Sequence, residues 1–155
     1  MAETLTPEQF SARIKLLAQN LIVALPQINE KAALNATSLV KARIVNTGVS
    51  AEDDLLGAYV DGPYKKHRDE TGRRTDFVNL SYTGQMFRDI GVKKNIINGT
   101  KVITSVGAKD TKNRSSGTKT SEIVEGHADR YGNFLKPNKE EASAIGKQIT
   151  ADITK

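Results

Sequence analysis

The feature that most constrains how this chain can fold is an apolar stripe near its N-terminus. Apolar residues recur there at spacings of four, three and four, at Phe10, Ile14, Leu17 and Leu21. This spacing puts them on one face of an α-helix. Thr6 fits a helix cap, because Pro7 suits the first helical position and Gln9 stands three residues after the cap. The sequence therefore predicts an amphipathic helix, whose apolar face needs a partner.

The helical pattern has one interruption and a defined end. Pro26 has no backbone N–H and is expected to kink or break the helix. The pattern stops at Asn46-Thr47-Gly48, after apolar positions resume at Ile28, Ala32, Leu39 and Val40. The sequence thus predicts a long kinked helix or a pair of helices from Phe10 to Ile44.

The composition favours one small domain that associates with copies of itself. The 155 residues are 37% hydrophobic and 26% charged, which suits a single domain over residues 1–155 with one modest core. Trp is absent and only 5% of the residues are aromatic, so the core has to rest mainly on Ile, Leu, Val and Ala. A thin core of this kind gains stability when further apolar surface is buried between subunits.

The composition also disfavours secreted and membrane proteins. The chain has no cysteine, which excludes disulfides, thiolate zinc sites and a cysteine nucleophile and favours an intracellular or virion setting. The first residues lack a basic start followed by an apolar run, and no stretch approaches about 18 apolar residues. We therefore expect neither export by a standard signal nor contact with a membrane.

Positive charge is concentrated in the middle of the chain. Residues 61–119 hold thirteen Lys and Arg against six Asp and Glu, although the net charge of the whole chain is only +5. Glycines and a proline interrupt residues 49–76, so we expect an exposed basic arm there with one or two helical turns. Residues 109–121 are rich in Lys, Ser, Thr and Gly, which predicts a mobile loop at a sheet edge.

A small antiparallel sheet is predicted between the arm and the loop. Phe77 to Tyr82 alternates in the manner typical of a short strand. Thr83-Gly84 is then expected to cap a short helix that carries Met86, Phe87 and Ile90. Asn98-Gly99 favours a tight type I′ turn and predicts a β-hairpin, because it joins two β-prone runs, Val92 to Ile97 and Thr100 to Val106.

Two further helices are predicted after the loop. Glu122 to Tyr131 is expected to be partly helical and to end at Gly132. Asn138 with Glu141 is a capping pattern, and it precedes an apolar stripe at Ala142, Ile145, Ile149 and Ile153. The predicted fold class is therefore α+β, with a long kinked N-terminal helix, a small antiparallel sheet with an Asn-Gly hairpin, and a C-terminal helix.

The sequence carries no local signature of catalysis. It lacks the nucleophile elbow, the Walker phosphate loop, the dinucleotide-binding glycines and the zinc-protease helix motif, so we expect neither an enzyme nor a cofactor. One candidate metal site combines Glu122, Glu125, His127 and Asp129. The last three of these would share one side of an extended segment. We prefer the alternative, a polar and partly helical surface segment that holds no metal.

Nucleic-acid binding is the main alternative to a structural role. His67 lies in a basic run, which we interpret as a solvated face. No helix-turn-helix, RNA-recognition or zinc-finger pattern accompanies the charge, so we expect passive contact with DNA rather than sequence-specific recognition. The candidate contacts to phosphates or to an acidic partner are Lys65, Lys66, Arg68, Arg73, Arg74, Lys93, Lys94, Lys109, Lys112, Arg114 and Lys119.

Three stretches of the chain resemble a known family. The first is the kinked N-terminal helix from Phe10 to Ile44. The second runs from Gly57-Ala58-Tyr59 to Thr83-Gly84-Gln85-Met86, a basic arm followed by a strand and a Thr-Gly-x-Met element. The third is Ala128 to Pro137, where an aromatic-Leu-x-Pro turn precedes the final helix. This order is similar to that of phage tail-completion and virion-morphogenesis proteins, which are small ring subunits of the neck or the upper end of the tail.

The resemblance implies a structural, non-enzymatic role in a tailed bacteriophage. It implies a homo-oligomeric ring that acts as a head-tail connector, a tail-completion protein, a tail terminator or a neck subunit, with portal and tail proteins as partners. The expected location is the virion, after assembly in the host cytoplasm. The basic residues would then either line a channel for packaged DNA or contact acidic portal or tail proteins. Non-specific DNA binding is the alternative function.

Overall fold

Five helices and two strands make up the described part of the chain. The computed structural model describes residues 5–81, 84–98, 101–112 and 116–154. The elements in chain order are α1 (Pro7–Thr47), α2 (Pro63–Glu70), α3 (Gln85–Asp89), β1 (Ile90–Asn98), β2 (Lys101–Ala108), α4 (Thr120–Tyr131) and α5 (Lys139–Ile153). The predicted α+β class is confirmed. None of the helices in this part of the chain combines the length and the apolar character needed to span a membrane.

α1 is one continuous helix. It starts with a capping box, in which the Thr6 backbone N–H donates to Gln9 Oε1 at 2.9 Å and the Gln9 N–H donates to Thr6 Oγ1 at 3.3 Å. The helix then runs for 41 residues through Pro26, a length of about 60 Å. The prediction of two separate helices is therefore wrong. A proline inside a helix costs about 3 kcal/mol, and packing of the residues beyond Pro26 against the fold offsets that cost.

Gly48 ends α1 at a position that admits no side chain. Its φ is +64°, in the left-handed region that favours glycine, and its N–H donates to the Ile44 carbonyl at 3.0 Å. A Cβ at this position would overlap Cδ2 of the Phe77 ring. The predicted end of the helix is confirmed, and the glycine there is required both by the backbone and by the aromatic ring beside it.

Replacing Gly48 by alanine is expected to lower the free energy of unfolding by about 2–4 kcal/mol. A residue with a Cβ is strained in the left-handed region, and the Phe77 ring has to move. Urea denaturation followed by circular dichroism measures the change. The control is Gly146→Ala in α5, where nothing lies within 4 Å of the added Cβ and alanine should stabilise by about 0.5–1 kcal/mol. Equal effects of the two substitutions would contradict the packing described at Gly48.

The two strands form an antiparallel pair. The register runs from Ile90 opposite Ala108 to Asn98 opposite Lys101. The predicted pairing of these two β-prone runs is therefore present. Asn98 is the last residue of β1, and residues 99–100 lie outside the described part of the chain, so the predicted Asn-Gly turn is not confirmed.

The hairpin and α5 cover the C-terminal part of α1. Asn29 Nδ2 donates to a backbone carbonyl of β2 at 3.2 Å. Lys31 forms an ion pair with Asp152 at 2.8 Å, and Arg43 forms one with Glu141 at 2.9 Å. Higher numbers on α1 meet lower numbers on α5, so the two helices are antiparallel. Both elements meet α1 from about Asn29 onward.

The predicted capping pattern opens α5. The Asn138 N–H donates to Glu141 Oε2, and the Glu141 N–H donates to Asn138 Oδ1, both at 2.9 Å. Arg43 Nε donates to Glu141, and the same guanidinium donates to the carbonyls of Val49 and Lys136 at 2.6 and 2.9 Å. The cap therefore fixes the start of α5 to the last turns of α1, and the predicted C-terminal helix is confirmed.

The apolar core lies at the C-terminal end of α1. Its buried members come from both strands, from α1 and α3, and from three connecting segments: Val40, Ile44, Leu56, Val78, Met86, Phe87, Ile90, Ala108 and Phe134. Two phenylalanines thus join the aliphatic residues that the composition predicts. The core is thin, as expected, and nothing in it reaches the N-terminal part of α1.

The segment before α3 is not the predicted strand. Val78 and Asn79 are both buried, so the side chains of residues 77–81 do not alternate between two environments. Leu80 has a φ of +51°, which interrupts an extended backbone. The backbone N–H of Val78 donates to the Gly57 carbonyl at 2.9 Å instead of to a strand. Tyr82 and Thr83 lie outside the described residues.

The short helix predicted next is confirmed as α3. Met86 and Phe87 are buried in it, as their spacing predicts. Ile90 was predicted on the same helix, but it begins β1. Its side chain still reaches the core, because the helix ends directly at the strand.

The basic arm predicted over residues 49–76 is exposed along most of its length, and α2 supplies its two helical turns. It is nevertheless attached to the fold, since Leu56 belongs to the core and Arg68 is only 1% exposed. The arm therefore has a fixed place on the body of the subunit.

The loop predicted over residues 109–121 ends earlier than expected. Thr120 already begins α4, and its buried Oγ1 donates to Asp89 Oδ2 at 2.8 Å. Residues 113–115 lie outside the described part of the chain. The helix predicted between Glu122 and Tyr131 is confirmed, although it starts two residues before Glu122.

Candidate interaction surfaces

The first part of α1 extends beyond the rest of the fold. The hairpin and α5 meet α1 from about Asn29 onward, whereas every residue from 7 to 23 is exposed. These residues, which we call the helical extension, form a rod about 25 Å long. No other element of the described chain covers this rod.

The apolar stripe predicted from the sequence lies on the helical extension. The exposed fractions are 58, 50, 56 and 37% for Phe10, Ile14, Leu17 and Leu21. Leu16 and Val23 are also exposed, and they lie on another side of the helix, because they are seven residues apart and fall between the stripe positions. Contiguous exposed apolar surface of this kind marks an interaction site. The predicted amphipathic character of this helix is therefore confirmed, and no described part of the chain covers the stripe.

A cleft of about 400 Å³ lies at the opposite end of the fold. Val78 lines it and packs against Gly48, at the end of α1. The other apolar side chains around the cleft come from α2, α3, α4 and the segments before α2 and α3: Tyr59, Val60, Tyr64, Leu80, Met86, Ile123 and Tyr131. Val60 is 82% exposed and Tyr64 is 53% exposed. The cleft thus presents apolar and aromatic atoms to solvent, together with polar atoms of Ser81, His127 and Arg130.

Arg68 holds together one wall of the cleft, which is formed by α2 and the segment before α3. It is a charged residue that is only 1% exposed. Its guanidinium donates to the Arg74 carbonyl at 2.9 and 3.1 Å, to the Ser81 carbonyl at 3.1 Å and to Asn79 Oδ1 at 3.2 Å. Its Cζ lies 4.4 Å from the centre of the Tyr59 ring. These contacts join α2 to the segment before α3.

The prediction that Arg68 belongs to a solvated basic face is therefore wrong. The run Lys65 to Arg68 looks uniform in sequence, but α2 turns Arg68 toward the fold and leaves His67 exposed. The signal that was available is the helical spacing of Arg68 from Tyr64, four residues earlier, because the two side chains share a face. Arg68 cannot reach a phosphate group while it keeps its internal partners.

Tyr59 belongs to the same side of the cleft and contacts Arg68 and Asn79. Its hydroxyl donates to Asn79 Oδ1 at 3.3 Å, and its ring centre lies 5.9 Å from that of Tyr64. Burial raises the pKa of the Tyr59 hydroxyl, so it stays protonated well above neutral pH. Asn79 therefore accepts hydrogen bonds from both Tyr59 and Arg68, which fixes the position of the Tyr59 ring beside the guanidinium.

The candidate metal site does not form. Glu122, Glu125, His127 and Asp129 lie on α4, and a helix turns alternate residues to different sides, so the extended arrangement that would have joined the last three is wrong. Among the described residues no group of three His, Asp or Glu side chains is placed to hold a metal.

His127 packs among aromatic rings instead of binding a metal ion. Its ring centre lies 5.9 Å from that of Tyr131 and 6.3 Å from that of Phe134. Burial, and then the positive charge of Arg130, lower the pKa of His127, so the imidazole is neutral at neutral pH. It lines the cleft as an uncharged aromatic side chain.

The candidate basic contacts fall into two groups. In the first group, near α2, several charges have partners within the chain. Lys65 pairs with Asp61 at 2.7 Å, and Arg74 donates to the Asn46 carbonyl at 2.9 Å. Lys66 lies 4.0 Å from Glu70, and Arg73 is half-buried and also makes contacts within the chain. This group stabilises the arm on the body of the subunit.

The second group lies at the base of the hairpin. Asp110 accepts a hydrogen bond from Ser121, and that bond, followed by the charges of Lys119 and Lys93, lowers the pKa of Asp110. Lys112 pairs through its backbone with Lys119. All the described members of the group are exposed: Lys93, Lys94, Lys109, Lys112 and Lys119. Arg114, the remaining candidate, lies outside the described residues. The structure thus brings two of the predicted basic residues, Lys93 and Lys119, within electrostatic reach of one carboxylate.

Comparison of the chain with protein-family models, with curated proteins and with solved structures finds no match.

Proposed function

We propose that this chain is a ring-forming structural subunit of the joint between head and tail in a tailed bacteriophage, and that it acts as a connector or tail-completion protein between portal-side and tail-side proteins. The observation that carries the proposal is the helical extension. A chain that holds an amphipathic helical rod away from its own core, about 25 Å long for 17 helical residues, is built to complete its packing in an assembly.

The hairpin supports the same conclusion. Within the described residues, β1 and β2 pair only with each other, so each strand keeps an open outer edge. Exposed apolar side chains lie along the pair, at Ile96, Ile97, Ile103 and Val106. A two-stranded sheet is marginal by itself, and neighbouring subunits in a ring would cover both its edges and these side chains.

The family resemblance supplies the particular assembly. The long N-terminal helix, the arm that leads to the Thr-Gly-x-Met element, and the turn before the C-terminal helix follow the order seen in tail-completion and virion-morphogenesis proteins. Two of the quoted features, the N-terminal and C-terminal helices, agree with α1 and α5. The remaining feature, the stretch from Gly57 to Met86, contains the predicted strand that residues 77–81 do not form. The resemblance therefore rests mainly on the two ends of the chain.

Non-specific DNA binding is the second candidate function. The observation that favours it is the exposed lysine group at the base of the hairpin, because lysines without buried partners can neutralise phosphates. In the connector these same lysines would face packaged DNA or an acidic partner. The apolar helical extension has no role in phosphate contact, which is why the connector is the better supported proposal.

Electron microscopy of intact phage particles, with this chain located in the map, tests the proposal. We expect a closed ring of copies between portal and tail, with the helical extensions buried between proteins. Particles that contain no copies would contradict the connector function and favour DNA binding. A ring whose lysine group faces the channel would assign the passive DNA contact to those residues.

A further inference from the structure

The cleft between α2 and α4 has the size of a small-molecule site. Its volume of about 400 Å³ falls in the range of about 300–1,000 Å³ that is common for ligand pockets. A protein partner would need a much larger surface, since a stable interface commonly takes about 800 Å² from each side. The occupant that suits the cleft is therefore one small molecule.

Aromatic rings surround much of the cleft. Three of the four tyrosines of the chain line it, namely Tyr59, Tyr64 and Tyr131. The ring centres of Tyr59 and Tyr64 lie 5.9 Å apart, with the ring planes tilted by 57°. The His127 imidazole, which is neutral, lies 5.9 Å from the Tyr131 ring between centres. Rings in tilted arrangements of this kind favour a ligand with an aromatic body.

Arg130 supplies a positive charge at the cleft. It lines the cleft and is exposed, and its Cζ lies 5.3 Å from the centre of the Tyr131 ring. No carboxylate in the described part of the chain forms an ion pair with it. A guanidinium without such a partner can bind a carboxylate or a phosphate through two parallel hydrogen bonds.

Arg68 adds a second positive charge behind the wall of the cleft. Its guanidinium is buried, and its hydrogen-bond partners among the described residues are uncharged: backbone carbonyls, Asn79 and the Tyr64 hydroxyl. Its Cζ lies 4.4 Å from the centre of the Tyr59 ring and 5.8 Å from that of Tyr64, and both rings line the cleft. The charge of Arg68 therefore acts on the cleft at short range.

Acidic side chains are kept away from the cleft. The described residues that line it include neither Asp nor Glu. On α4 the side that carries His127 and Arg130 lines the cleft, and the acidic residues of that helix are exposed on the opposite side: Glu122, Glu125 and Asp129. The cleft thus combines aromatic rings with two positive charges, and this combination selects an anion.

We propose that the cleft binds a small organic anion that carries an aromatic ring. The ring of the ligand lies among Tyr59, Tyr64 and Tyr131, and the Arg130 guanidinium pairs with the anionic group. Aromatic carboxylates and mononucleotides share this chemistry, because the guanidinium accepts either anionic group. The inference goes beyond the connector function and does not depend on it.

NMR titration of the full chain with paired probes tests the proposal. Indoleacetate and tryptamine carry the same ring with opposite charges, and acetate carries the negative charge without the ring. Adenosine monophosphate and adenosine form the second pair, which tests a phosphate. Changes in the amide signals of proton–nitrogen spectra locate each probe on the chain and give its Kd.

We expect indoleacetate to bind at least about 10-fold more tightly than tryptamine or acetate, because the charge-assisted hydrogen bonds need both the negative charge and a ring that holds it in place. The shifted signals should lie around the cleft, at residues such as Val60, Ser81 and Ile123. A preference of this size for indoleacetate alone supports a carboxylate ligand, and one for adenosine monophosphate over adenosine alone supports a nucleotide. Equal binding within both pairs, or shifts confined to the helical extension, would overturn the proposal.

The substitution Arg130→Gln tests the role of the guanidinium. It should weaken binding of the preferred anionic probe by about 10-fold or more and leave binding of neutral adenosine unchanged. The matched control, Arg13→Gln, removes the same group from an exposed position on the helical extension and should leave both affinities unchanged. Anion binding that R130Q does not weaken, or that R13Q weakens equally, would show that the cleft does not select its ligand by this charge.

Discussion

Replacement of Arg68 by methionine is expected to lower the free energy of unfolding by about 3–5 kcal/mol. Methionine fills a similar volume without any donor. The carbonyls of Arg74 and Ser81 and the Asn79 side chain would each lose a hydrogen bond in a buried site, at about 1–3 kcal/mol apiece. The loss of the guanidinium over the Tyr59 ring adds to the effect. Urea denaturation monitored by circular dichroism gives the difference.

The matched control for Arg68 is Lys66→Met on the same helix. Lys66 is exposed and lies 4.0 Å from Glu70, so its removal should change the free energy of unfolding by less than about 0.5 kcal/mol. Both substitutions remove one positive charge from α2. An Arg68→Met protein as stable as the control would mean that the wall of the cleft does not depend on this buried charge.

Features set by neighbouring residues could be predicted from the sequence. The capping boxes at Thr6 and Asn138, the helix end at Gly48 and the pairing of β1 with β2 follow from local backbone chemistry. The stripe on α1 follows from spacing alone. In the caps, the helix end and the stripe, the partners are within a few residues of each other, so a short window of sequence contains the information. The two strands are longer-range partners, but they follow each other directly along the chain.

Features that depend on distant contacts could not be predicted. The alternation in residues 77–81 is typical of a strand, yet the segment packs on the core and on Arg68 and stays irregular. The charge run by itself does not show that Arg68 is buried, and only its helical spacing from Tyr64 points that way. The break expected at Pro26 does not occur, because packing of the residues beyond Pro26 against the fold outweighs the lost hydrogen bond.

The two candidate surfaces also differ in whether they could be predicted from the sequence. The helical extension is contained in one stretch of sequence, and the stripe predicts it. The cleft is assembled from α2, α3, α4 and the segments between them, so its lining residues are spread from Ala58 to Tyr131. What the sequence could not indicate is that the stripe remains uncovered, since this depends on where the hairpin and α5 stop along α1.

We expect the helical extension to be required for assembly but not for folding. The double substitution Phe10→Asp with Leu17→Asp tests both points. Each side chain is more than half exposed in the single chain, so the free energy of unfolding should change by less than about 0.5 kcal/mol. In the assembly the two carboxylates would replace buried apolar groups. We expect at least about 3 kcal/mol of lost contact energy, a weakening of the subunit contact by more than about 100-fold.

The readout is the infectious titre when the variant chain is supplied to a phage that lacks its own copy, together with the fraction of particles that carry a ring. Both should fall by more than about 100-fold, in proportion to the weakened contact. Lys15→Asp is the control, since it makes the same change in net charge on a polar side of the same helix. Its titre should stay within a few-fold of the wild-type value, because the stripe is intact. If the double variant assembled as well as this control, the exposed stripe would have no part in the assembly, and the argument from the helical extension to a ring would fail.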